Sequence, residues 1–248
     1  MNIRDIKYKI NILFNINKLT NTMSMISFSK LTKFDKNYKI LNNLYLETKN
    51  IFLEIYNYKK KKNFCIILIT TNKGYCGNIN NEIYKNFFKL IKNNNNLDII
   101  LIGKKGIDFF SKKNIFFKNK FFFNEKDNII FNEKNLQDLK QYENIFFLST
   151  KFINNEFKTI KTNFYEKKKK NFFEKFLNFN EIFSKYFNYT FKYLYNQNYL
   201  CELKLRMITM KSAADNSKKI IKFMHILKNK IRQYKVTQEM LEIINGIL

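Results

Sequence analysis

The sequence predicts an α/β chain in which two unusually long terminal helices pair antiparallel and enclose, in chain order, a small domain with a largely parallel sheet. Three observations carry this reading. Apolar residues recur at three- and four-residue steps near both ends, and short apolar runs alternate with amphipathic segments between residues 63 and 165. The five glycines fall at 74, 77, 103, 106 and 246 and proline is absent, so residues 1–73 and 107–245 lack both strong breakers of regular structure.

The first helix is read from Asn2 to about Tyr58. Its seam runs Ile3, Ile6, Ile10, Leu13, Asn17, Thr20, Ser24, Ser27, Leu31, Phe34, Tyr38, Leu41, Tyr45, apolar at the ends and small and polar at the centre. Through the centre a neighbouring line, Ile16, Leu19, Met23 and Ile26, is expected to carry the apolar face, so that the seam drifts around the helix. At 1.5 Å per residue such a helix is ~85 Å long.

In the middle, NFCIILIT, LDIILIG and NIFFLST read as strands, while NEIYKNFFKLI, Lys104 to Lys112 and NLQDLKQY read as helices. NEFKTIKTNFYE is expected to add an edge strand. Asn93 to Asn96 reads as a polar loop, and Lys167 to Lys170 as a charged connection. The last helix is read from about Ser184 to Ile247, ~95 Å long. Its seam is Leu203, Met207, Met210, Ala214, Ser217, Ile221 and Met224, then after one slip Leu227, Ile231 and Tyr234. The only two alanines, Ala213 and Ala214, sit beside Ser217, where small residues let two backbones approach. Helices this long bury their stripes only against each other or a partner. The expected domains are 1–60, 61–170 and 171–248.

Composition restricts function more by exclusion. The longest apolar run, inside FCIILIT, falls far short of the ~20 residues of a membrane span. The N-terminus MNIRDIKYKI lacks the apolar core and cleavage site of a secretory signal, so the chain is expected to stay where it is made. A formal charge of +26 would suit nucleic acid. Abundant Lys, Asn, Ile, Phe and Tyr beside absent Pro and Trp instead point to codon bias as the source of much of that charge. A basic surface still attracts acidic proteins or anionic lipid heads. Cys65, Cys76 and Cys201 form no C-x-x-C pair, and His225 is the sole histidine, so neither a zinc site nor a disulfide framework is expected.

No catalytic constellation stands out. TTNKGYCGNIN follows a strand but lacks both phosphate-binding glycine fingerprints, and Gly103-Lys104-Lys105-Gly106 is too short for a P-loop, reading instead as a strand-to-helix turn. Cys76 between Gly74 and Gly77 resembles a nucleophile on a tight turn, yet the only histidine lies on the last helix and a small residue filling a turn explains it better. Arginine is the sharper signal: Arg4, Arg206 and Arg232 are exceptions among 46 basic residues, and each offers a planar fork for carboxylates that lysine cannot copy.

KLTNTMSMISFSKL (18–31), LITTNKGYCGNINNEI (68–83), CELKLRMITMKSAADNSKKI (201–220) and NKIRQYKVTQEMLEIINGIL (229–248) together resemble the gamma subunit of F-type ATP synthases. The resemblance implies a long antiparallel coiled coil of N- and C-terminal helices with a small central Rossmann-like α/β domain. It further implies a central rotor stalk that couples proton flow through a membrane ring to ATP synthesis on alpha and beta subunits, without catalytic residues, metal or cofactor of its own. Implied partners are three alpha and three beta subunits, the epsilon subunit and the membrane c-ring, with no nucleic acid and no direct small-molecule substrate. The implied location is peripheral, on the cytoplasmic face of the bacterial inner membrane. By position in the family motifs, Met23 is expected at the beta-subunit lever, and Arg206, Arg232, Gln233 and Thr237 at its catch region. Val236, Met240, Ile243, Ile244 and Leu248 are expected to form an apolar tip within a greasy collar. Asn72 and Lys73 stand where the family commonly has acidic and arginine residues, and Asn78 replaces a common glycine. The rivals are a basic coiled-coil scaffold for nucleic acid and an α/β enzyme using Cys76.

Overall fold

The computed structural model describes residues 2–55, 63–92, 97–123, 131, 133–154, 156–165 and 179–246. The loop at Asn93–Asn96, the run Lys167–Lys170, and Ile247 and Leu248 lie outside the described residues. Element order is α1 (Ile3–Ile55), β1 (Phe64–Ile69), α2 (Ile79–Ile91), β2 (Leu97–Ile102), α3 (Lys104–Lys112), β3 (Asn119–Phe121), α4 (Glu133–Leu139), β4 (Asn144–Ile153), β5 (Glu156–Asn163) and α5 (Phe179–Asn245). The terminal helices thus hold 53 and 67 residues, with a mixed α/β sheet between them in sequence. The chain divides into two compact units, residues 1–29 with 206–248, and residues 30–205.

In the second unit the strand order is β3-β2-β1-β4-β5. β1 to β4 run parallel, and β5 returns antiparallel beside β4 as an edge. The two-residue period of a strand divides the core cleanly. Ile66, Leu68, Ile99, Leu101, Phe146 and Leu148 face α2 and α3 through Ile83, Tyr84, Phe87 and Phe110. Cys65, Ile67, Ile69, Ile100, Ile102, Ile145 and Phe147 face the other way, toward Phe52 of α1, Leu136 of α4, and Phe183 and Phe187 of α5.

One strand is added to the expected elements and one expectation is corrected. β3 went unrecognised, because three residues within an aromatic-lysine run show no strand pattern of their own and become a strand only by pairing with β2. α5 begins at Phe179 rather than near Ser184, since Phe183, Tyr186, Phe187 and Phe191, fully buried, already follow helical spacing onto the sheet.

Candidate partner-contact surface

The first unit is a helical pair. Asn17 Nδ2 donates to the Ala214 carbonyl at 2.6 Å and to Ser217 Oγ at 2.8 Å, while Ser24 Oγ donates to the Met207 carbonyl at 3.1 Å. Seven residues forward on α1 therefore correspond to seven back on α5, so the helices run antiparallel. A side chain reaches the partner's backbone only where no bulk intervenes, and Ala214 is fully buried at that point. Asn21 Nδ2 closes the network by donating to Asn17 Oδ1 at 3.0 Å. From Ile3 to Ser27 every residue of the first seam is buried or half-buried.

The apolar line beside it behaves differently. Ile16, Leu19, Met23 and Ile26 are 42, 64, 38 and 50% exposed, so the seam does not drift onto them. They stand one position from the seam, about 100° around the helix, and form a second stripe that α5 leaves uncovered. On α5, Ile220, Phe223 and Ile226 are likewise exposed. The sequence names the α1 line but suggests a drifting seam, whereas an apolar line beside an intact seam marks a second face; Ile220, Phe223 and Ile226 of α5 were not singled out.

The α5 seam ends at Ile231, because Tyr234, expected within it, is 70% exposed. From Arg232 to Gly246 every residue is exposed. Arg232, Gln233, Val236, Thr237 and Ile244 all stand on this overhang, with Met240, Leu241 and Ile243 bare beside them. Thr237 Oγ1 is turned back to its own helix, donating to the Gln233 carbonyl at 3.0 Å. Met23 belongs to the second stripe of α1. Arg206 is buried within the chain, unlike the other expected contact residues among those described.

In the second unit the turn from β2 into α3 has its backbone donors already engaged. The first three amides of α3 are all taken: Lys104 N–H by Asn72 Oδ1 (3.2 Å), Lys105 N–H by the Thr71 carbonyl (3.1 Å) and Gly106 N–H by Thr70 Oγ1 (3.0 Å). Those are the donors a phosphate would need. The crevice where strand order reverses, at the carboxyl ends of β1 and β4, is where ligands bind in open α/β sheets. Here Cys76, Ile79 and Cys201 pack into one apolar cluster with Phe152, Phe157 and Leu205. Asn198 Oδ1 accepts from Thr150 N–H at 3.1 Å and Cys201 Sγ donates to the Thr150 carbonyl at 3.5 Å, so α5 occupies that end of β4. Cys76 is buried against Thr71, Lys73 and Asn80, as a turn-filling residue would be. Asn72, one of the departures in this loop, also donates to the Phe123 carbonyl at 2.7 Å and so ties the loop to the end of β3.

Comparison with known proteins adds to this geometry. A family model described as ATP synthase matches residues 2–248. The ATP synthase gamma chain of Buchnera aphidicola subsp. Melaphis rhois is 28% identical over 289 residues, covering 98% of this chain and 96% of that one. Among solved structures, a chain of the Euglena gracilis mitochondrial ATP synthase OSCP/F1/c-ring in rotational state 3 aligns with a TM-score of 0.73 at 16% identity, covering 99% and 93% of the two chains. A chain of the rotor of the same enzyme in rotational state 1 aligns at 0.69 with 13% identity, covering 94% and 98%. These structural likenesses bear on the fold.

Proposed function

We propose that this chain, which belongs to the ATP synthase gamma-chain family, is the central shaft of its complex and transmits torque without catalysing a reaction. In this reading residues 1–60 and 171–248 form the shaft and 61–170 the outer domain. The shaft enters a ring of three alpha and three beta subunits, while the outer domain meets the epsilon subunit and the membrane c-ring. The complex sits on the cytoplasmic face of the bacterial inner membrane, with nucleotide and metal held by the partners.

The observation that carries this is the uncovered apolar surface of the helical pair. A stripe on α1 through Met23 and a fifteen-residue overhang on α5, Arg232–Gly246, are exposed along faces that no part of the described chain covers. Patches of this kind mark surfaces destined for a partner. Because the two faces differ, one subunit meeting the stripe and another meeting lysines experience different free energies. Turning the pair then shifts each subunit between conformations in sequence. The apolar tip, Val236, Met240, Ile243 and Ile244, makes weak, non-directional contacts that allow rotation. Arg232 supplies a bidentate fork for a carboxylate of the ring.

The reading is tested by co-purification and by Arg232→Lys in the assembled complex. Alpha and beta subunits should be recovered with the chain in amounts equal to each other, and ATPase activity should require them. Recovery with nucleic acid instead, released as salt rises, would remove the reading. Arg232→Lys should leave the helical content unchanged and lower coupled ATP synthesis several-fold, in line with a loss of about 1 kcal/mol in a charge-assisted contact. Unchanged synthesis and hydrolysis would take Arg232 off the contact surface.

A further inference from the structure

Among the described residues, Phe116 is the most exposed large hydrophobic side chain, at 85%. It stands on the turn between α3 and β3, and its exposure is built in. Just past the end of α3, Asn114 has a φ of 53°, and Ile115 N–H donates back to the Phe110 carbonyl at 3.1 Å, which fixes the direction of the departing chain. Ile115 and Phe117 then pack against the α2/α3 side of the core. An extended chain alternates sides, so the residue between them must point outward. A bulky ring is thus presented on a rigid, convex turn.

Its surroundings are cationic. Residues 109–123 contain Lys112, Lys113, Lys118 and Lys120 and no acidic residue. Lys113 Nζ lies over the Phe88 and Phe109 rings at 5.2 and 4.9 Å, and Lys118 Nζ is held by Tyr142 Oη at 2.8 Å and Asp98 Oδ2 at 3.4 Å. These contacts hold two of the four ammonium groups beside the turn. In a βαβ unit each helix ends where the next strand begins, so the C-terminus of α2 brings exposed Lys89 and Lys92 to the same end of the sheet.

We propose that this turn docks on an anionic lipid surface, Phe116 inserting below the headgroups while Lys112, Lys113, Lys118 and Lys120 remain among the phosphates. Charge complementarity selects the occupant: a single protruding ring ringed by cations fits a planar layer that is anionic outside and apolar beneath. Single-stranded nucleic acid would need a groove with successive stacking rings. Phe122, the other exposed ring of this segment, lies at the far end of β3 beside Lys104. The lipid contact goes beyond the shaft reading and uses residues of the other unit, so either can fail alone.

The chain contains no tryptophan, so Phe116→Trp in the full-length protein is a single-site fluorescent reporter. With vesicles of phosphatidylglycerol and phosphatidylcholine near physiological ionic strength, its emission should shift to the blue and be quenched by acyl-chain bromination. Pure phosphatidylcholine should do neither, and Phe223→Trp, at an exposed ring of α5, should show no shift with either vesicle. Phe116→Ser should weaken binding to the anionic vesicles about tenfold or more, as loss of a buried aromatic side chain would. The proposal is overturned if the full-length chain co-sediments with anionic vesicles while the reporter stays unshifted, which would be adsorption by net charge. It is equally overturned if the reporter shifts only on assembly with protein subunits, or only on addition of RNA.

Discussion

At Gly103 the absence of a side chain decides whether β1 and α3 can meet. Its φ is +100°, and a Cβ there would stand 2.3 Å from the Thr70 carbonyl oxygen; one at Gly106 would stand 2.5 Å from Thr70 Oγ1. Thr70 uses that closeness, donating through Oγ1 to the Ile102 carbonyl at 2.7 Å and accepting from Gly106 N–H. Gly103→Ala should therefore destabilise the α/β unit by about 2–5 kcal/mol, combining backbone strain with overpacking. Gly74→Ala is the control: the nearest atom to its added Cβ is Lys105 Cε at 3.9 Å, and the change should stay within about 0.5 kcal/mol. Urea unfolding followed by circular dichroism measures both, and equal losses would refute the packing argument. The glycine spacing alone ruled out a P-loop. It could not show that Thr70, Thr71 and Asn72 take the amides of α3, because those partners lie some thirty residues away in sequence.

At the scale of the element, α1 carries two helical stripes and one of them is chosen. Both obey the three-and-four spacing, and the discarded one, Ile16, Leu19, Met23 and Ile26, is the more apolar at the centre. Burial there goes instead to Asn17, Thr20, Ser24 and Ser27, because small residues let the backbones close enough for hydrogen bonds from side chain to carbonyl. Local hydrophobicity would have predicted the opposite. Asn17→Ala removes two inter-helix bonds and should cost about 1–2 kcal/mol. Ala214→Leu should cost about 1–3 kcal/mol by forcing the helices apart. Exposed Met23→Ala, on the other stripe, should leave the isolated chain within about 0.5 kcal/mol of the parent while weakening assembly with alpha and beta subunits. Melting of the helical signal, compared across the three variants, checks the order; a loss from Met23→Ala as large as the others would return that stripe to the seam.

For the molecule as a whole, buried thiols set an alkaline limit on the α/β unit. Burial pushes the Cys201 thiol up from 9.0 to about 12, and Cys65 is raised by burial and then by Asp98. A raised value in the folded chain means stability that is complete below pH 9.0 and lost as pH climbs toward 12. Urea unfolding near pH 8 and about pH 10.5 should differ by about 2 kcal/mol less in Cys201→Ala than in the parent. An identical pH dependence would mean that this thiol ionises in place. Burial of this kind was invisible in the sequence, where Cys201 appears among charged residues. Legible from residues alone were the two long helices, the alternation of strand and helix between them, and the motifs of the gamma-chain family, since period, breakers and short motifs are local properties of a chain. Only tertiary structure decided which stripe of α1 is buried, that α5 plugs the switch point of the sheet, that Asn119–Phe121 is a strand, and that Phe116 faces outward. Each of those depends on which distant residue comes close, and proximity is settled by packing free energy summed over the fold rather than by any neighbour along the chain.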